Sequence, residues 1–235
     1  MIPRLQELAG QHDIPAAGVE QLETLLDLLA RDETAPTAIR DPAHAVEAHV
    51  ADALSGLAVP ELAAARAVAD LGAGAGIPGL VLAAARPALR VVEVESTGRK
   101  CAFLERAIAA MGLANAQVAC SRAEAWAAGR GACDAVTARA LAPLPVLVEY
   151  AAPLLRDGGA LIAWKGAPEP SEAADGDAAA AVLGLAPARI RRVPPRPGAE
   201  HRTLYVYLKV RSLPNGYPRR PGIARKRPLR ASTSR

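Results

Sequence analysis

The stretch Asp70-Leu71-Gly72-Ala73-Gly74-Ala75-Gly76-Ile77-Pro78-Gly79 decides the reading of this chain. It follows a short apolar run, AVADL at Ala67–Leu71, and opens a run suited to a helix, Pro78–Ala85. Residues without a Cβ let a chain turn sharply and bring its backbone close to a ligand. Pro78 suits a first helical turn, where its missing N–H costs nothing. The opening turn of that helix leaves amides free for a polar ligand. Strand, glycine turn and helix in this order predict an α/β sheet with a ligand at the turn.

Downstream the alternation continues. RVVEVE (Arg90–Glu95), AQVAC (Ala116–Cys120), DAVTAR (Asp134–Arg139) and GALIAW (Gly159–Trp164) have strand length, and Gly98–Met111 and Pro145–Leu155 have helical character. This pattern predicts a mostly parallel sheet with helices on both faces. The acidic, alanine-rich stretch Ser171–Leu183 predicts one more helix. ARIRRV (Ala188–Val193) and RTLYVYLKV (Arg202–Val210) are separated by PPRPGAEH, too short and proline-rich for a crossover helix. They predict a final antiparallel hairpin. Five parallel strands closed by such a pair give a Rossmann-like layout similar to that of the class I S-adenosylmethionine (SAM)-dependent methyltransferases, an analogy of fold. Upstream, Leu22, Leu25, Leu26 and Leu29 predict a helix over Ala16–Arg31. Asp41 before Pro42 reads as the N-cap of another, running through His49, Asp52 and Leu54 and ended by Pro60.

The chain has 235 residues, 51% hydrophobic but only 3% aromatic, so its core is aliphatic. No apolar run approaches the length of a membrane span, and the start, MIPRLQELAGQHD, lacks the pattern of a secretory leader. Cys101, Cys120 and Cys133 show no metal-ligand spacing. They predict free thiols in a reducing cytoplasm, with neither a disulfide nor a metal site. The net charge of +4 hides an asymmetry: Met1–Leu185 carries 14 basic and 23 acidic residues, Ala186–Arg235 carries 14 and one. Arg211–Arg235 has eight basic residues and no acid, too few apolar groups to fold alone, and the composition of a nucleic-acid-contacting or merely solubilising tail. The predicted organisation is an N-terminal helical extension over 1–60, a ligand-binding domain over 61–210 and a disordered basic tail over 211–235.

Two cofactor classes fit the turn. Residues 74–79 satisfy GxGxxG with Glu93 and Glu95 about twenty residues on, which suits a dinucleotide. In either class an acid after the second strand can accept bonds from ribose hydroxyls. Asp70 favours SAM, because it suits the ammonium of the methionine moiety and would repel a pyrophosphate. Glu95, at the strand's carboxyl end, is the preferred ribose ligand; Glu93 alternates with valines and can face solvent. Ser121-Arg122-Ala123-Glu124 either meets an adenine or forms a helix cap with SxxE spacing. Arg139 ends the fourth strand on the substrate side, as a positioning group or a surface charge.

These residues together resemble the RsmG/GidB family, bacterial enzymes that form 7-methylguanosine in small-subunit ribosomal RNA. The resemblance rests on Asp70–Gly79, Glu95-Ser-Thr-Gly-Arg-Lys100 with Phe103-Leu104, Ser121–Glu124, Ala138-Arg139-Ala140 and Trp164-Lys165-Gly166. Thr37-Ala-Ile-Arg-Asp41, His49-Val-Ala-Asp52-Ala-Leu54, Tyr217–Gly222 and Lys226–Leu229 extend it over most of the chain. It implies SAM contacts at Gly72, Ile77, Ala123, Glu124 and Arg139, with Glu95 on the ribose and Asp70, Gly74 and Gly76 completing the loop. Departures stand at Ala35, Ala48, Ala53, Ile77 and Ala138, where the family commonly has asparagine, arginine, serine, phenylalanine and serine.

Guanine N7 carries a free lone pair, so the implied reaction needs no general base, only positioning and desolvation. Arg139, a pure donor, would hold guanine O6 or the cofactor. Cytosine-C5 transfer would need a cysteine nucleophile, and none follows a proline at a strand end. Amino-group transfer usually goes with an (Asn/Asp)-Pro-Pro-(Tyr/Phe) turn, where this chain has Ala138-Arg-Ala-Leu-Ala-Pro143. His49, Lys165, Arg219, Arg220, Arg225, Lys226 and Arg227 are the candidate RNA contacts, on a protein expected to act as a monomer on small-subunit RNA or a 30S particle. A SAM-fold RNA-binding protein without catalysis is the alternative suggested by Ala35, Ala48 and Ala138; an NAD-dependent enzyme is the other.

Overall fold

The computed structural model describes residues 2–166, 169–197 and 199–231. Before the sheet come α1 (Pro3–Gln11), α2 (Ala16–Arg31), α3 (Pro42–Ala45), a π-helical turn at Val46–Ala51, α4 (Asp52–Leu54) and the single turn α5 (Pro60–Ala63). Asp41 caps α3 as predicted, its carboxylate accepting the His44 N–H at 2.7 Å. Pro60 opens α5 rather than ending the helix before it, which tightens into a 3-10 turn at Ser55–Ala58.

Strands β1 (Ala67–Leu71), β2 (Arg90–Glu95), β3 (Ala116–Cys120), β4 (Cys133–Arg139), β5 (Leu155–Lys165), β6 (Arg189–Arg192) and β7 (Thr203–Leu208) form one sheet, ordered β3-β2-β1-β4-β5-β7-β6. β1 to β5 are parallel, and β7 runs antiparallel to both β5 and β6. The doubly wound sheet with its closing hairpin is therefore as the sequence predicts. Its winding reverses between β1 and β4, which places a ligand crevice at their carboxyl ends.

α6 (Gly79–Ala85) and α7 (Gly98–Met111) cover one face, and α8 (Leu144–Ala151) and α9 (Pro170–Leu183) the other. The N-terminal helices share a continuous core with the first face: Leu5, Leu22 and Leu54 are buried together with Leu80, Phe103 and Trp164. Where α2 crosses α6 the backbones nearly touch, and a Cβ on Gly18 would lie 2.3 Å from the Ala84 carbonyl oxygen. Alanine normally favours a helix over glycine by about 1 kcal/mol. Here overpacking outweighs that gain, so Gly18→Ala is expected to lower stability by about 1–3 kcal/mol, read as an earlier urea midpoint; a later midpoint would show that the helices part freely.

Two expectations need correction. Cys101 and Cys120 form a disulfide, with Cα atoms 5.7 Å apart, while Cys133 is free and buried. A separation of 19 residues conceals this pairing, because α7 returns its first turn alongside the end of β3. The basic tail is not an unfolded appendage over residues 211–231. Leu213, Tyr217 and Leu229 lie against the second-face core, and the short helix α10 (Ile223–Lys226) buries Ala224 within it.

Candidate active site

A crevice of about 400 Å³ opens at the carboxyl ends of β1, β2, β3 and β4. Its walls are Gly72, the segment Val94–Thr97 with Lys100, the segment Ser121–Glu124, the pair Ala140-Leu141, Tyr150 on α8 and Arg225 from the tail. The structure thus brings Gly72, Glu95, Ala123, Glu124 and Arg225 into one site with Lys100 and Arg122 of the quoted motifs, and adds Leu141 and Tyr150, to which sequence reasoning gave no role.

Glu95 holds the crevice edge in shape. One carboxylate oxygen accepts the N–H groups of Ser96 (2.7 Å) and Thr97 (2.8 Å), and the other accepts that of Gly74 (3.2 Å). Gly72 has φ 65°, and a Cβ there would fall 2.4 Å from Leu141 Cδ1. Opposite it, Ala140 occupies the left-handed region at φ 55°, a costly conformation for a residue with a Cβ. That turn at the end of β4 is what places Leu141 over Gly72.

Asp70, Gly76 and Ile77 lie behind the crevice wall. The Asp70 carboxylate is buried, accepting the Thr137 hydroxyl at 2.7 Å and the Gly79 N–H at 3.0 Å. It anchors the two ends of the glycine loop rather than facing a ligand. Glu93, which sequence allows to face solvent, is fully buried beside it, because β2 is an interior strand covered on both faces. Burial, then the Asp70 charge, pushes Glu93 well above the ordinary carboxylate range. Burial also lifts Asp70 to about 6 against the pull of its hydrogen bonds.

Arg139 points away from the crevice walls into the N-terminal helices. Its guanidinium donates to the Ala48 carbonyl (2.8 Å), to buried Asp52 (2.9 Å) and to His49 Nδ1 (3.2 Å). A guanidinium has no acceptor, so Nδ1 carries the lone pair and Nε2–H faces Thr37 Oγ1 at 3.2 Å. Asp52 also accepts Arg202 Nε at 2.8 Å. His49 is consequently an internal strut, not an exposed RNA contact. Lys165 is likewise engaged, with Glu172 at 2.6 Å. Arg219 forms a two-pronged pair with buried Glu149, whereas Arg220, Arg225, Lys226 and Arg227 are exposed.

Burial, then the Arg139 charge, lowers His49 to about 4, so the folded chain holds it neutral. Unfolded, with an ordinary value of 6.5, it binds a proton the folded form refuses. This contribution to stability is complete above pH 6.5 and disappears as pH falls toward 4. Asp70, raised from 3.8 to about 6, acts oppositely, losing stability as pH rises through that interval. The test is therefore a difference: between pH 7 and 5 the wild type should lose about 2 kcal/mol more than His49→Gln in urea unfolding. Identical pH slopes would show that His49 titrates normally.

The family described as rRNA small subunit methyltransferase G matches residues 19–197. The chain belongs to that family. A ribosomal RNA small subunit methyltransferase G from Rubrobacter xylanophilus is 46% identical over 197 residues, covering 81% of this chain and 76% of the relative. One from Desulfitobacterium hafniense is 35% identical over 241 residues, covering 97% and 100%. Among solved structures, the SAM-dependent methyltransferase SibL superposes with TM-score 0.59 at 15% identity, over 83% of this chain and 70% of that one. A predicted O-methyltransferase from Agrobacterium tumefaciens does so with TM-score 0.55 at 23% identity, over 68% and 80%. Those likenesses establish the fold as that of the SAM-dependent methyltransferases.

The crevice fits SAM. Glu95 presents a carboxylate at the carboxyl end of β2, already braced by three backbone amides and with one lone pair on Oε2 left for a ribose hydroxyl. Gly72 leaves backbone open where a Cβ would close the gap to Leu141. Ala123-Glu124 lines the third wall, where an adenine edge would lie.

Proposed function

We propose that this chain transfers the methyl group of SAM to N7 of a guanine in small-subunit ribosomal RNA, acting in the cytoplasm as a monomer. One observation carries the choice of atom: the crevice walls hold no cysteine or histidine among the described residues, and the carboxylates of Glu95 and Glu124 are engaged by backbone N–H groups. A site with neither a cysteine nucleophile nor a histidine base suits an acceptor that needs no deprotonation. The guanine N7 lone pair forms the new N–C bond as the sulfonium–methyl bond breaks, and no proton leaves.

SAM, when bound, supplies an electrophilic methyl. Glu95 would orient the ribose, and the Ala123-Glu124 edge the adenine. Leu141 and Ala140, held by the strained turn after Arg139, would exclude water around the target base. Arg139 acts at one remove: through Asp52 and His49 it fixes the N-terminal helices beside the crevice, so its role is positioning. Arg220, Lys226 and Arg227 remain free to meet RNA phosphates, whose charge density favours such clusters.

The test is transfer of labelled methyl to small-subunit RNA from a strain lacking the methyltransferase, with mass-spectrometric mapping of the product. One 7-methylguanosine per RNA is expected. SAM binding with no methyl incorporated would establish instead an RNA-binding protein that has lost catalysis.

A further inference from the structure

The basic tail touches the cofactor crevice at two points and is pinned behind its wall at a third. The Gly222 N–H donates to the Glu124 carboxylate at 2.9 Å, and Glu124 is itself a crevice wall. Arg225 lines the crevice beside Tyr150 and donates to the Leu141 carbonyl at 3.0 Å. Arg219 donates Nε to Glu149 at 2.7 Å and a second N–H to its other oxygen. Glu149 sits on α8 one residue before Tyr150 and is 1% exposed. An acid that deep requires a partner, so Glu149 is a socket for the tail.

The same short segment faces outward as well. α10 turns Ala224 into the core and leaves Lys226 and Arg227 in solvent, with Arg220 and Arg230 exposed on either side. One stretch of chain therefore presents an inner surface to the crevice and an outer cationic surface.

We propose that segment 217–230 is at once a wall of the cofactor crevice and a seat for RNA phosphate, so that cofactor and RNA each tighten the binding of the other. The coupling rests on the ribosomal RNA reading given above. Its logic is a population shift. The crevice is complete when the tail is docked on Glu149 and Glu124; phosphates on the outer surface offset the mutual repulsion of Arg219, Arg220, Arg225, Lys226 and Arg227 and so favour the docked form. Anything that raises the docked fraction raises apparent cofactor affinity in proportion. Binding couplings are reciprocal, so cofactor must tighten RNA by the same factor.

Equilibrium dialysis of labelled S-adenosylhomocysteine against the full chain, with and without unmethylated small-subunit ribosomal RNA, measures this. RNA should tighten wild-type binding at least about fivefold. Arg219→Met, which removes the plug from the Glu149 socket, should bind S-adenosylhomocysteine about tenfold more weakly without RNA and lose the enhancement. Arg219→Lys should recover part of both. Arg225→Ala, an exposed change that leaves Glu149 paired, gives an independent measure and should also weaken binding without RNA. The Lys226→Ala/Arg227→Ala double variant should show a smaller enhancement by RNA.

Wild-type protein that binds and methylates RNA yet holds S-adenosylhomocysteine equally with and without it would overturn the coupling and leave the functional reading intact. Folded Arg219→Met and Arg225→Ala proteins with wild-type affinity would overturn the wall. Failure of the wild type to bind or methylate RNA would remove the functional reading and the coupling together, while the two variants would still decide the wall.

Discussion

Asp52→Ala is expected to lower the free energy of unfolding by about 3–5 kcal/mol and to abolish methyl transfer with it. The Asp52 carboxylate is 0% exposed and accepts from two guanidinium groups, Arg139 at 2.9 Å and Arg202 at 2.8 Å. Those arginines lie at the ends of different strands, β4 and β7, so the carboxylate ties the start of α4 in the N-terminal extension to two strands at once. Its own carbonyl accepts the Trp164 indole N–H at 2.9 Å, adding β5 to the same junction. Removing the side chain leaves two largely buried cations facing each other with no anion between them. This is far costlier than the loss of an exposed pair, whose contribution is about 0–1 kcal/mol. Asp52→Asn keeps the volume but turns an amide N–H₂ toward one guanidinium, and should retain part of the stability. Urea unfolding of both variants beside wild type measures the effect. An Asp52→Ala protein within about 1 kcal/mol of wild type would mean that solvent reaches the junction and that Arg139 has no structural duty there.

The strands and helices of the sheet are legible in the sequence because each carries its own signal. β1, β2 and β3 have the expected bounds, since the apolar runs end there at a glycine, an acid or a serine (Gly72, Glu95 and Ser121). β5 starts at Leu155, earlier than the expected Gly159, because Arg156, Asp157 and Gly158 extend the strand without looking apolar. The crevice was legible for the same reason as the strands: Glu95 ends β2, and Gly72, Ala123 and Glu124 sit shortly past strand ends, where an open α/β sheet binds ligands.

What resisted sequence reading are groups whose partners come from far along the chain. Nothing near Arg139 signals that its acceptors are Ala48 and Asp52, and nothing near His49 signals its burial. The acids were better clues than the bases. Glu149 interrupts an otherwise apolar helix, LPVLVEYA, and such an acid in a buried helix demands a cation. The acidic body and basic tail also fit this docking. Taken by composition the tail cannot fold alone, and it does not: a few apolar side chains and one arginine seat it on a core already formed.

Glu95→Ala is expected to reduce affinity for S-adenosylhomocysteine by about 100-fold or more. Two losses combine. The first is the charge-assisted bond that the remaining lone pair of the carboxylate can accept from a ribose hydroxyl, contributing about 1.5–3 kcal/mol, where 1.4 kcal/mol is a factor of ten. The second is the shape of the crevice itself. Without the side chain the N–H groups of Gly74, Ser96 and Thr97 lose their shared acceptor, so the glycine turn is no longer tied to the end of β2. Glu95→Gln separates the two. It keeps one carbonyl oxygen for Ser96 and Thr97 but places N–H₂ where either Gly74 or the ribose needs an acceptor, and should weaken binding about tenfold. Glu95→Asp keeps the charge on a shorter stem and should fail at Gly74 first, because at 3.2 Å that bond is the longest of the three. Calorimetric titration of the three variants gives the order Gln, then Ala, in loss of affinity, with unfolding midpoints as the check that the fold persists. If Glu95→Ala bound as tightly as wild type while Glu93→Gln did not, the ribose ligand would have to be reassigned to Glu93, which lies deeper on the same face of β2.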